Sequence, residues 1–272
     1  MSVVGRLGAP ARRGLVALAL LVVAFPFAWV VLAAFKDKDS LNEPSKLAFT
    51  PTLDNWREVV DGGVLGSAVT SVLVGLVTVA IALVVGTLGA YAISRFKTGG
   101  SATRFGILLS QLMPPAVLVV PLFLVAFEFN QRDTIQVVIA SHLTFVLPVA
   151  TWFLIGFFDA VPREFEEQAM VDGYGRFQAF RRVVLPQVLP GIGAAAIFTF
   201  VLSWNDLFYA LILAGGNTET LPVKIASYNT FRGVELGAMS AAIMVSVVPV
   251  LIACFFVQRR LVRGISGGGL KS

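Results

Sequence analysis

The chain has 272 residues, 57% of them hydrophobic and 14% charged, with a mean hydropathy of +0.83 and a formal net charge of +5. That is far more apolar than a soluble domain of this length, so the chain belongs in a membrane. One cysteine, Cys254, and one histidine, His142, exclude an intramolecular disulfide and a multi-histidine or multi-cysteine metal site, and no Ser/His/Asp or Cys/His set can be built without His142. A GxxxxGK[ST] phosphate loop is also missing, so any nucleotide must be bound by another subunit.

Six stretches are free of Asp, Glu, Lys and Arg: Gly14 to Phe35, Gly62 to Ser94, Phe105 to Phe127, Thr134 to Phe158, Val183 to Asn205 and Leu236 to Gln258. A helix needs about 20 residues to cross a hydrocarbon core of about 30 Å, so all six are long enough to span. The pattern predicts an all-α membrane protein with six transmembrane helices over residues 14–258. Short ends flank them, 1–13 before and 259–272 after.

The first run follows Arg12 and Arg13 but exceeds the length of a signal-peptide apolar region, and it reads as an uncleaved spanning helix. The loop that follows, Lys36 to Leu65, carries Pro44, Pro51 and Trp56, and an amphipathic turn anchored by Trp56 at the interface is its plainest reading. In the second run Ser67, Ser71 and Gly75 fall four apart, as do Ala82, Gly86 and Ala90, a spacing that lets helix backbones approach closely in lipid. The third run carries Pro114, Pro115 and Pro121, with Pro148 in the fourth and Pro249 in the sixth. Proline bends a helix, and such bends either open a cavity or shape the bundle.

Lys and Arg placement sets the orientation. With the N-terminus inside, 14 of the 21 fall on the cytoplasmic side: Arg6, Arg12, Arg13, Arg95, Lys97, Arg104, Arg163, Arg176, Arg181, Arg182, Arg259, Arg260, Arg263 and Lys271. Both termini are therefore expected in the cytoplasm. The positive balance is explained by topology, and no basic run with interleaved aromatics calls for a nucleic-acid partner.

The long charged segment of the second half, VPREFEEQAMVDGYGRFQAFRRVVLPQVLP from Val161 to Pro190, reads as two short helices and a turn. Pro162 suits a helix start, and Glu164, Glu166 and Glu167 fall where the helix dipole favours negative charge. Gly173 ends the first helix and Gly175 lets the chain restart. The second, about Arg176 to Val184, puts Arg181 and Arg182 in its last turn and Phe177, Phe180 and Val184 on one face. Such an amphipathic pair, too short to span, suits either a groove on a partner protein or the membrane surface. Further on, Asn205 and Asp206 follow Trp204 near the predicted outer end of the fifth helix, where they serve as a helix end, an inter-subunit bond or a lining of the transport path. The chain ends QRRLVRGISGGGLKS, a basic anchor followed by a glycine-rich end.

Within this segment Glu167, Gln168 and Ala169, then Gly173 after three residues, then Val183, Val184, Leu185 and Pro186 after nine more resemble the EAA signature of permease subunits in ABC importers. Gln168 replaces the first Ala of that signature and Val183 its Ile, with the spacing kept. The stretch FTPTLDNWREVV resembles the segment leading into the second helix of sugar permeases, and the tail is similar to that of the maltose-type ones. The resemblance implies a type I ABC importer permease architecture in the cytoplasmic (inner) membrane and the import of a sugar, with no catalysis in this chain. A coupling loop over about 159–188 would include Glu166, Glu167, Gln168, Ala169, Asp172, Gly173, Leu185 and Pro186. It further implies a second, related permease subunit, two ATP-binding subunits that hold ATP and Mg, and an extracytoplasmic sugar-binding protein. Other small solutes remain open as cargo, since EAA spacing is widely shared, and a secondary carrier would lack the docking loop and need mid-membrane charges.

Overall fold

The computed structural model of the chain describes residues 9–43, 48–231 and 233–268. Arg6, Pro44, Lys46, Arg232 and Lys271 lie outside the described residues, and of Cys254 only the backbone is described. In chain order the elements are α1 (Ala9–Phe35), α2 (Lys38–Leu41), α3 (Asp54–Asp61), α4 (Val64–Phe96), α5 (Gly100–Leu112), α6 (Pro115–Glu128), α7 (Ile135–Ala160), α8 (Glu164–Val171) and α9 (Arg176–Ala179). A wider π-helical turn, Phe180–Val184, leads into α10 (Leu185–Trp204), then α11 (Phe208–Leu213), α12 (Leu221–Ser227), the short hairpin β1 (Asn229–Thr230) and β2 (Gly233–Val234), and α13 (Leu236–Gly268). The glycine-rich end is helical as far as Gly268.

Among the described residues four helical stretches are long and apolar enough to cross a membrane: Arg12–Phe35, Val64–Phe96, Ile135–Ala160 and Arg176–Trp204. A fifth span is formed if α5 and α6 are counted together, and the apolar part of α13, Leu236–Ile252, is shorter. The third apolar run is therefore not one helix. It breaks at Met113 and Pro114 and turns by 87°, because Pro114 and Pro115 supply no N–H to continue the ladder and the residue before a proline is driven out of helical geometry.

Contacts divide the chain into two compact units, Met1–Leu65 with Ile225–Val248, and Gly66–Lys224 with Pro249–Ser272. In the first, the segment around Trp56 does more than lie at an interface. Asn55 is buried, and its Nδ2 donates to the carbonyls of Ala34 at 3.2 Å and Lys36 at 2.8 Å. Those carbonyls lie at the C-terminal end of α1, which has no donors of its own left to offer them. Trp56 meanwhile packs its ring 5.6 Å from that of Phe35. Burial and a hydrogen bond with Glu235 push the carboxyl of Glu58 above the usual carboxylate range, against a smaller opposing pull from Lys38.

In the second unit the small residues of α4 do what their spacing predicts. Ala82 and Ala90 are fully buried, a Cβ on Gly86 would meet the Thr151 hydroxyl of α7 at 3.1 Å, and one on Gly75 would meet the ring of Phe200 in α10 at 2.9 Å. Ser71 uses its hydroxyl oxygen to accept the Leu221 N–H at 2.7 Å. One core cluster joins the end of α4 to the end of α7 and the start of α10 through Ala90, Ile93, Leu154, Phe158, Phe180 and Val188.

At the opposite end of α7, Asp133 sits in the turn after α6 with a positive φ of 54°. Its carboxylate accepts from the N–H groups of Gly215, Asn217 and Thr218, from Asn217 Nδ2 and from the Thr218 hydroxyl. The Thr218 hydroxyl contributes most to holding this carboxyl below its usual range, helped by the Asn217 and Gly215 bonds and opposed by burial.

Candidate functional site

The segment Val161 to Pro190 folds as its sequence predicts up to the turn. Glu164, Glu166 and Glu167 occupy the first turn of α8. At its end Gly173 takes φ +88°, and the N–H of Gly173 bonds Met170 O at 3.1 Å while that of Tyr174 bonds Ala169 O at 3.0 Å. This left-handed closure satisfies two carbonyls that the helix end would leave open. Asp172 lies exposed just before it, and Gly175 begins α9 in an extended conformation.

Beyond α9 the helix does not end at Val184. It widens by one residue, the Leu185 N–H reaching back to Phe180 O, and continues as α10. Pro186 explains the widening: without an N–H it cannot close a regular turn, and a π-helical turn accommodates the loss. Leu185 and Pro186 thus mark where the loop joins the long apolar helix.

Burial separates the loop into two faces. Glu166 and Ala169 face the chain's own core, whereas Glu167, Gln168, Met170 and Asp172 are exposed and Val171 is 87% exposed. Phe180 and Val184 are buried as expected, but Phe177 is 70% exposed and does not share their face. The inward face follows residues 180, 184 and 188 at steps of four, and at the loop tip the chain supplies nothing to cover residue 177.

Beneath the loop lies a polar network that the sequence does not announce. Arg95, in the last turn of α4, places Nε 3.1 Å from Glu166 Oε2, with side chains 5% and 9% exposed. Tyr91 donates its hydroxyl to Glu166 Oε1, and Arg95 Nη2 donates to Val161 O at 3.0 Å. A second layer fixes the ends of α4, α5 and α7: Ser94 Oγ donates to Asp159 Oδ1 at 2.6 Å, and Arg104 donates through both terminal nitrogens to Asp159 at 2.9 and 3.1 Å. Arg163 Nη2 completes it by donating to Ser94 O at 2.9 Å. The bidentate Arg104–Asp159 pair fixes α5 against α7 in geometry as well as energy, and Glu166 and Arg163 tie α8 to the end of α4. The only hint available from sequence was the position of Arg95, Arg104 and Asp159 at the margins of apolar runs, and nothing there says which charge pairs with which.

Asn205 and Asp206 separate. Asn205 is exposed and turns its Nδ2 back to Val201 O at 2.8 Å, closing α10. Asp206 turns inward: its Oδ2 lies 3.2 Å from His142 Nε2 and accepts the Ala210 N–H at 3.2 Å, while His142 Nδ1 lies 2.7 Å from Ser203 Oγ. Asp206 stands just past the end of α10, in the turn that leads to α11, and reaches His142, which lies about 10 Å into α7.

Comparison with known proteins agrees with this architecture. The family model described as "Binding-protein-dependent transport system inner membrane component" matches residues 82–267. The trehalose transport system permease protein SugB of Mycobacterium tuberculosis is 34% identical over 251 residues, covering 90% of this chain and 92% of that protein. The diacetylchitobiose uptake system permease protein DasC of Streptomyces coelicolor is 30% identical over 254 residues, with 92% of each covered. A chain of a bacterial ABC transporter involved in the import of the acidic polysaccharide alginate superposes with a TM-score of 0.73 at 18% identity, over 95% of this chain and 98% of that one, and shares the fold. The chain belongs to the binding-protein-dependent transport system inner membrane components, the permease subunits of ABC importers.

Proposed function

We propose that this chain translocates a mono- or oligosaccharide as one permease subunit of an ATP-driven importer, and that residues 159–188 are its coupling loop. The observation that carries the coupling role is the division of α8 into two faces. Glu166 and Ala169 anchor it inward, leaving Glu167, Gln168, Met170 and Val171, with Phe177 beyond the turn, exposed on a short amphipathic element fixed to the end of α4. An exposed apolar patch with a charged rim on a rigid support is suited to a cleft on a partner protein. Displacement of such a loop would be passed to the helix ends rather than absorbed. Sugar as the cargo is supported by the relatives, whose names give trehalose and diacetylchitobiose.

In this reading the chain crosses the membrane six times, through α1, α4, the bent α5–α6 pair, α7, the run from α9 through α11, and α13. The Lys and Arg bias supports cytoplasmic termini, 1–13 and 259–272, around the membrane domain 14–258, and places the loop on the cytoplasmic side. The partners are a second related permease subunit, two ATP-binding subunits holding ATP and Mg, and an extracytoplasmic sugar-binding protein. A bacterial alginate ABC transporter, solved in complex with its alginate pentasaccharide-bound periplasmic protein, supports the last of these partners.

The test is purification of the tagged chain in mild detergent with identification of its companions. Recovery of a second permease and a Walker-motif ATPase, lost on replacing Glu167 and Val171 by Ala, is the expected result. Recovery of the chain alone from membranes that still import sugar contradicts it.

A further inference from the structure

A cavity of about 450 Å³ lies within the first unit, between the C-terminal end of α1, α2 and the start of α13. Trp29, Leu32 and Leu41 supply apolar walls from α1 and α2, Met239 and Ile243 supply them from α13, and Lys36 and Ser240 are its polar groups. We propose that this cavity holds an anionic glycerophospholipid, with the phosphate on Lys36 and one acyl chain between α1 and α13. The site is separate from the cargo and stands whatever solute is carried.

The cavity changes polarity with depth. The span Arg12–Phe35 has 24 residues and is about 36 Å long, so Lys36, the next residue, stands where the hydrocarbon core gives way to the headgroups. Trp29 lies about 10 Å deeper along α1. Asn55 brings the start of α13 to the level of Lys36: its Nδ2 donates to the carbonyls of Ala34 and Lys36, and its amide abuts Gly237, so closely that a Cβ there would collide with it. Both helices therefore run inward from the charged end, and their apolar side chains line the deeper part. Charge at the boundary with hydrocarbon beneath it is the polarity of a phospholipid. A sugar, hydroxylated all round, would meet only Lys36 and Ser240.

The charge selects the headgroup. Lys36 is 2% exposed and is the single charged residue lining the cavity. Its Nζ lies 5.2 Å from the centroid of the Trp29 ring and 5.4 Å from that of Phe49. Ring faces attract the cation, and an ammonium has three N–H donors, so it has the capacity for a phosphate oxygen beside its other contacts. A cation taken this far out of water favours an anion in the space it faces. Ser240 is 8% exposed, and its hydroxyl makes no hydrogen bond among the described residues, which leaves it to donate to an ester or phosphate oxygen. Phe27, Val31 and Leu32 are exposed on the same stretch of α1, so the acyl chain continues from the cavity onto the surface of that helix.

The test uses the tagged chain, purified with its companions into lipid nanodiscs, and a phosphatidylglycerol that carries a diazirine in its acyl chain. After illumination and digestion, mass spectrometry should place the adducts in residues 29–41 and 236–243. An excess of unlabelled phosphatidylglycerol should suppress them, and the same excess of phosphatidylcholine should not. Lys36→Met should lower labelling of these residues about fivefold and Lys36→Arg should keep it, while Lys97→Met, at an exposed lysine after α4, should change nothing. If Lys36→Met fails to fold, the competition between the two lipids on the unaltered chain decides the matter. Labelling spread evenly along α1, with both lipids competing equally, is ordinary bilayer contact and overturns the site. Labelling that appears only once the companions are removed overturns it too, because a protein partner then fills the cavity. Either result leaves the permease reading standing.

Discussion

Arg95 and Glu166 form a buried ion pair at 3.1 Å between the end of α4 and the first turn of α8. Two charges taken out of water this far are tolerated because each is also hydrogen-bonded, Glu166 by Tyr91 and Arg95 to Val161 O. The pair fixes the loop's inward face and thereby decides which residues are left to face outward.

Removing one partner should be costly. Glu166→Ala leaves the Arg95 guanidinium buried without its carboxylate and should destabilise the protein by about 3–5 kcal/mol. Thermal melting of the detergent-solubilised protein measures this. Glu167→Ala, at an exposed position one residue on, should leave the melting temperature unchanged and lower sugar-stimulated ATPase activity in the assembled importer. Equal melting losses for the two variants would contradict the two-faced reading of α8.

Gly173 should tolerate substitution according to backbone preference rather than size. A Cβ there meets nothing within 4 Å, so the only obstacle is φ +88°. Gly173→Ala should cost about 1 kcal/mol and Gly173→Asn less, because asparagine enters the left-handed region more readily. Gly173→Pro, whose ring fixes φ near −65°, should abolish coupling while membrane insertion persists. Uptake assays beside membrane fractionation distinguish these outcomes.

The Asp133 clasp gives a pH dependence. Its carboxyl is depressed in the folded protein, so its contribution is present above the unfolded carboxylate pKa and lost as pH falls through the lower folded value. Acidification below about pH 4 should therefore weaken the wild type more than Asp133→Asn. At neutral pH Asp133→Ala should destabilise by about 3 kcal/mol, having lost several charge-assisted bonds. Gly215→Ala should also destabilise, since its Cβ would meet the Asp133 carboxylate at 2.5 Å. Melting curves across pH test all three.

The exposed apolar tip of the loop should matter for assembly alone. Val171→Asp and Phe177→Asp alter side chains that pack against little of their own chain, so melting should hardly change. Recovery of the ATP-binding subunit with the tagged chain should fall about tenfold or more, as expected when a central apolar anchor is lost.

Four of the predicted spans were legible because charge-free length is a one-dimensional property, and Gly173 was legible because a left-handed closure has a residue-type signature. The break in α5–α6 was harder: hydropathy runs unchanged through Met113, Pro114 and Pro115, and proline alone does not say whether a helix bends or stops. Pairings such as Arg95 with Glu166 or Ser94 with Asp159 join residues 65 or more positions apart, which no local pattern encodes. The meeting of Asp206 with His142 joins the end of α10 to α7, which counting along one helix cannot foresee. Phe177 was assigned to the buried face by periodicity, although the loop tip has no core to offer it.

A coupling role for the Gly173 loop requires that it engage an ATP-hydrolysing partner. Thiol cross-linking in native membranes from Val171→Cys, in the Cys254→Ser background, tests it most directly. The expected result is an adduct with a Walker-motif ATPase, lost in a Val171→Cys variant that also carries Gly173→Pro. Absence of any such adduct, together with sugar uptake that survives ATP depletion, would contradict it.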